Sequence, residues 1–244
     1  MSVGWEEAGW ERVAAGVGRC RLPVWDCTAG LVVGTDAVLL VDAGSSLAEG
    51  ARLRAAAERL TGRRVTHVAL THPHFDHVLG AAVFAGAEVL GAAGTRALFA
   101  PGGRGGEALR ADAVANGLDP RLAAEAVDAL APARHEVTGG RELDLGGGRR
   151  ALLAAVGPGH TGHDLAVLVP GDPAVVFCGD LVEESGPPQA GPDAAPSHWP
   201  AALDRLLELG GEDARYVPGH GAVVDAAFVR AQRDALADRF GVSR

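Results

Sequence analysis

The sequence predicts an α/β fold, and three observations carry that prediction. Apolar runs of strand length alternate with longer helical stretches. Thirty-five glycines and 14 prolines punctuate the alternation. A chain of 244 residues that is 48% hydrophobic and 22% charged has enough apolar material to bury a full core. The length suits one large unit, so residues 1–244 are read as a single domain.

In chain order, Thr28–Val33, the turn Gly34-Thr35-Asp36 and Ala37–Val41 read as a hairpin that ends on Asp42. Ser46, with Glu49 three residues later, is a capping box that opens a helix through Ala55–Leu60, and Gly62 closes it. Arg64–Leu70 is a strand. Residues 93–130 are mostly helical and Ala-rich, broken by a flexible loop at Pro101–Gly106 that lacks any phosphate-binding lysine. Leu165–Val169, Pro170-Gly171-Asp172-Pro173 and Ala174–Cys178 repeat the hairpin grammar and lead to Gly179-Asp180, which suggests two pseudo-equivalent halves. Each hairpin delivers an aspartate at a strand's carboxyl end, where α/β sheets present their ligands. Glu183–Pro200 holds five prolines and reads as a long functional loop. Helices at Ala201–Leu209 and Val224–Phe240 bracket a short strand near Tyr216.

Composition excludes whole chemistries. All 22 basic residues are arginine, so no Schiff-base lysine, pyridoxal-phosphate anchor, P-loop lysine or Ser-x-x-Lys site exists. A formal charge of −9 argues against nucleic acid as a partner. No apolar run reaches the roughly 20 residues that span a bilayer, and the acidic start differs from a secretory signal. The expectation is a cytoplasmic protein acting on a small molecule, with Cys20, Cys27 and Cys178 as reduced, mostly buried thiols.

The chemistry concentrates in Thr71-His72-Pro73-His74-Phe75-Asp76-His77, directly after a strand. His72 and His74, two apart in extended chain, project to one side and can share a metal. Asp76 and His77, opening the next helix, can turn toward a second. Four ligand-type side chains in this spacing mark a metal site.

His72-x-His74-x-Asp76-His77 resembles the signature of the metallo-β-lactamase-fold hydrolases. Gly157-Pro158-Gly159-His160-Thr161-Gly162-His163, Phe177-Cys178-Gly179-Asp180 and Val217-Pro218-Gly219-His220-Gly221 resemble the remaining motifs of that family in the same order, and Asp42 matches its early bracing aspartate. The resemblance implies a four-layer αβ/βα sandwich of two mixed sheets flanked by helices. It implies one metal on His72, His74 and His160, a second on Asp76, His77 and His220, and Asp180 bridging them. Imidazole and carboxylate donors without thiolate suit two zinc ions and tolerate iron or manganese. The expected nucleophile is a metal-bridging hydroxide, with Asp76 orienting it, and the catalytic assignments are Asp76 and Asp180.

Smaller expectations accompany these. His163 is read as a hydrogen-bond partner behind the ligands, His67 as a packed strand residue, and His135 as a loop residue. Ser197 is expected to cap the helix after His198, and Tyr216 to pack. Departures from relatives narrow the substrate: with aspartate at the bridge and no lysine to hold a β-lactam carboxylate, antibiotic destruction is disfavoured. Glyoxalase II-like thioesterases carry a helical domain after the last motif, where only 24 residues remain here, Gly221 to Arg244. Flavodiiron-type proteins would want glutamate at His74. Small esters, thioesters or lactones are the expected substrates, with residues 93–130 and 183–200 as walls and Arg96, Arg104 and Arg110 pairing an anionic group. A mononuclear-iron persulfide dioxygenase or a non-catalytic metal-binding protein is the alternative. The sequence leaves the oligomeric state open.

Overall fold

A computed structural model describes residues 3–100, 104–130 and 133–242, with Arg104 by its backbone alone. The first sheet has seven strands in sequence order: β1 (Glu11–Ala14), β2 (Val17–Arg21), β3 (Thr28–Val33), β4 (Val38–Val41), β5 (His67–Ala69), β6 (Glu88–Ala92) and β7 (His135–Val137). Its first four strands are antiparallel and its last four parallel. The second sheet runs β12 (Arg215–His220), β11 (Val175–Glu183), β10 (Leu165–Val169), β9 (Arg149–Ala155) and β8 (Gly140–Gly146). Only its β11–β12 pair is parallel.

Strand periodicity builds the layers. In β4, Leu39 and Val41 face the second sheet while Val38 and Leu40 face outward. In β11, Val175 and Phe177 point inward while Val176 and Cys178 point away. Leu90, Leu153 and Val167 join the inner set, so one apolar layer lies between the sheets. Helix α1 (Leu47–Thr61), the short α2 (Phe75–Val78) and α3 (Thr95–Leu98), α4 (Arg104–Ala115) and α5 (Pro120–Ala129) accompany the first sheet. Its outward strand residues pack with Leu53, Leu109 and Ala126 of these helices. Helices α6 (Trp199–Gly210) and α7 (Ala226–Phe240) cover the second through Leu203, Leu206, Val229 and Leu236. The result is the expected sandwich of two mixed sheets between helices.

The capping box forms as read: the Ser46 hydroxyl accepts from the Glu49 N–H, and Gly62 closes α1 at φ 66°. Other boundaries move. The strand expected at Arg64–Leu70 is regular only over His67–Ala69, with further backbone bonds at Thr66 and Leu70 on either side. The second hairpin's last strand runs past Cys178 to Glu183, because pairing with β12 continues beyond a bulge at Gly179. Helix α7 starts at Ala226, since Asp225 accepts from the Phe228 N–H as its cap. His135 lies in β7 rather than a loop. Helix α6 is preceded by His198 without a side-chain cap bond, so Ser197 does not cap it; Ser197 Oγ lies 3.2 Å from His198 Nδ1 instead. Of the loop expected at Pro101–Gly106, residues 101–103 lie outside the described residues and Arg104–Gly106 open α4. Gly105 permits this because a Cβ there would meet Leu98 O at 2.3 Å.

Candidate metal centre

The site forms at one edge of the two sheets, where five chain segments converge. Strand β4 ends on Asp42, which adopts φ 60°, a left-handed conformation that aspartate tolerates. Its Oδ1 accepts the Thr71 N–H at 2.8 Å; its Oδ2 accepts the Thr71 hydroxyl at 2.8 Å and His77 Nδ1–H at 2.9 Å. Asp42 thereby fixes both ends of the segment carrying His72, His74 and Asp76. His74 is the residue before α2 but makes no cap bond, because both of its ring nitrogens are engaged elsewhere.

Every candidate ligand histidine turns one nitrogen outward to an acceptor. His72 Nδ1 meets Thr71 Oγ1 at 2.9 Å, and His160 Nδ1 meets the Gln189 carbonyl at 3.1 Å. His220 Nδ1 meets the Trp25 carbonyl at 2.8 Å, and His74 Nε2 meets Asp193 Oδ2 at 3.1 Å. Donation outward sets the tautomer each imidazole takes when neutral, with the other nitrogen's lone pair then pointing inward. Those inward atoms surround Asp180. Its Oδ1 lies 3.1 Å from His77 Nε2, and its Oδ2 lies 3.2 Å from His220 Nε2. The same Oδ2 is 3.6 Å from both His72 Nε2 and His160 Nε2. His74 Nδ1 stands 3.0 Å from His160 Nε2, and Asp76 Oδ2 stands 3.3 Å from His220 Nε2.

These atoms fall into two overlapping groups. Ligand atoms of His72, His74, His160 and Asp180 lie within 4.8 Å of one another, as do those of His77, Asp180 and His220. Asp76 joins the second group through His220. His72 Nε2 and Asp180 Oδ1 are buried without a hydrogen bond, a costly arrangement for polar atoms unless a further partner is supplied. The donor set fits a transition metal such as zinc in each group.

Electrostatics agree. Burial keeps His72 well below the ordinary imidazole range and takes His160 to about 4, so both are neutral, ligand-ready bases at pH 7. Burial alone would raise Asp180, but the His77, His72 and His220 imidazoles override it and hold the carboxyl well below the usual range. Burial likewise opposes charge on His220, yet Asp180 and Asp76 push it up to about 10. The carboxylates thus demand positive charge at this end of the site.

The sequence profile of the metallo-beta-lactamase superfamily matches residues 22–220, a span that contains every one of these side chains. The chain belongs to that superfamily. Among solved structures it is similar to the mono-zinc form of the metallo-beta-lactamase FIM-1 from Pseudomonas aeruginosa, at 20% identity and a TM-score of 0.70 over 95% of each chain. It also resembles the metallo-beta-lactamase from Pontibacter korlensis, at 18% identity and a TM-score of 0.68, covering 94% of this chain and 98% of that one. A third likeness is the enzyme from Hirschia baltica, at 18% identity and a TM-score of 0.67, covering 93% and 96%. No curated protein matches the chain closely enough to count as a relative.

All seven residues expected as ligands in this superfamily member come together. His163 does not stand behind them: its Nδ1 bonds the Ala93 carbonyl at 2.8 Å and its ring lines a neighbouring cleft. Arg96 and Arg110 are exposed and do not line that cleft, and the side chain of Arg104 lies outside the described residues. Cys20, Cys27 and Cys178 are free, and Tyr216 is buried with its hydroxyl donating to the Gly211 carbonyl. Sequence reasoning missed Asp193, a lone carboxylate in the Pro-rich segment with no local pattern to mark it. It also missed Asp164, which takes the Thr161 N–H and hydroxyl and shapes the His160 loop. Cys27 was not expected beside the site; its Sγ lies 3.1 Å from the Asp76 carbonyl and 3.7 Å from the His77 ring. No helix among the described residues is long and apolar enough to cross a membrane.

Proposed function

We propose that this superfamily member is a binuclear metal-dependent hydrolase acting on a small ester, thioester or lactone by way of a metal-bridging hydroxide. The observation that carries the reading is Asp180, a single buried carboxylate set between two groups of inward-facing imidazoles. His72, His74 and His160 would hold one ion, and Asp76, His77 and His220 the other, with Asp180 shared. Zinc suits these donors best, while iron and manganese are tolerated. When bound, such ions supply Lewis acidity for a carbonyl and acidify water to a pKa of about 7.

The chain's own residues do the rest. Asp76, beside His220, would orient the hydroxide for attack. Asp193 and the Gln189 carbonyl hold His74 and His160 in register from the Pro-rich segment. The acidic surface disfavours nucleic acid, and free thiols suit a reducing compartment such as the cytoplasm.

The test is elemental analysis joined to a hydrolytic screen across acyl and phosphoryl esters. The expected result is about two zinc ions per chain with acyl-ester turnover. One iron per chain without zinc, together with persulfide oxidation, would replace the reading with a mononuclear oxygenase. Metal without any turnover would favour a non-catalytic metal-binding protein.

A further inference from the structure

A cleft of about 530 Å³ opens against His74, the most exposed ligand of the His72 group. Its volume falls within the range that encloses a small organic ligand. One wall is Leu98 and Phe99 at the end of α3 with Ala108 and Leu109 of α4; the other is Gly191–Asp193 of the Pro-rich segment. Phe99 and Leu109 are nearly buried, so this wall is a formed apolar surface rather than a loose rim.

The charges facing the cleft have one sign. Asp112 of α4 and Asp193 line it; His74 and His163 are its remaining polar side chains, and no arginine lines it among the described residues. Asp193 is already paired with His74, whereas the Asp112 carboxylate, among the described residues, accepts only from the Asn116 amide, at 3.0 Å. That leaves one carboxylate without an ion-pair partner among the described residues at the end of the apolar wall, and a carboxylate disfavours an anion brought beside it in a partly desolvated cleft. Arg96 and Arg110, expected to pair an anionic group, stand away from this cleft.

We infer that the cleft takes an apolar acyl chain bearing no negative charge, and that Asp112 selects a cationic over an anionic group at the chain's far end. The inference rests on the hydrolase reading for its chemistry, since the acyl carbonyl must lie at the metal groups for its chain to enter here.

The experiment uses zinc-replete protein and three esters with one common leaving group. Their acyl chains are matched in length and end in a methyl, a trimethylammonium or a carboxylate. Wild type is expected to turn over the methyl and ammonium esters with kcat/KM at least tenfold above the carboxylate ester, chiefly through KM. Asp112→Arg, an exposed change on α4, is expected to shift the ammonium-to-carboxylate ratio at least tenfold toward the carboxylate. A preference for the carboxylate ester in wild type, or a ratio unmoved by Asp112→Arg, overturns the inference.

Calorimetry with methyl ketones carrying the same three chain ends separates this failure from failure of the hydrolase reading. If no ester is cleaved but the ketones bind in the same charge order, the hydrolase reading falls and the selectivity of the cleft stands. If the ketones bind without that order, the inference falls whatever the turnover.

Discussion

Asp42 and Asp180 are both buried aspartates of one site, yet they act on different things. Asp42 makes three hydrogen bonds to protein, so Asp42→Ala should cost on the order of 3 kcal/mol and lower the melting temperature by several degrees. Asp180 faces four imidazoles, so Asp180→Ala should leave the fold recognisable by circular dichroism while metal content and turnover collapse. Wild-type turnover in Asp180→Ala would remove it from the bridge. Asp164 gives a pH test. Burial raises its carboxyl from 3.8 to about 7 against the Thr161 hydrogen bonds, so the native chain keeps a proton that the unfolded chain has lost. Stability from this group is complete below about pH 4 and is lost as pH rises through about 7. Asp164→Asn has no such proton to lose. Its melting temperature should therefore gain on wild type as pH climbs from 4 to 7, and a pH-independent difference would contradict the assignment. At this scale the ligands were legible because His72, His74, Asp76 and His77 sit in one short run after a strand. Asp193, by contrast, reaches His74 from 119 positions away, a contact only the fold creates.

Between elements, the tightest constraint is the parallel pair β11–β12. Asp180 Oδ1 occupies the space where Gly219 would carry a Cβ, 1.8 Å away. Gly219→Ala should therefore displace the Asp180 carboxylate without substituting any candidate ligand, and metal content measured after dialysis should fall well below that of wild type. Full metal retention would mean the strands can part at no cost. The same scale explains which elements the sequence disclosed. The β3–β4 and β10–β11 hairpins are buried on both faces and read as continuous apolar runs joined by Gly, Asp and Pro turns. Strand β8 carries only two buried residues, Leu143 and Leu145, among Gly, Arg, Glu and Asp, and β7 is three residues long. Such strands exist through pairing with a neighbour rather than through their own pattern, so β7 and β8 left little trace in the chain.

The whole molecule divides along the chain as cleanly as it does in space. Every strand of the first sheet precedes Thr138 and every strand of the second follows Gly139, two exposed residues between β7 and β8. The candidate ligands divide with them: His72, His74, Asp76 and His77 come from the first part, and His160, Asp180 and His220 from the second. Each proposed ion therefore takes donors from both sides of one peptide crossing. A chain severed at Thr138–Gly139 would yield two fragments, one exposing Leu39, Val41 and Leu90 and the other Leu153, Val167 and Phe177. Co-expressed, they should copurify through that shared apolar layer, and zinc should tighten the pair because ions that bind only the joined form shift the equilibrium toward it. Fragment affinity indifferent to zinc and chelator would refute this. In such a severed protein metal supply would govern assembly, and catalysis would report on whether two polypeptides had found each other.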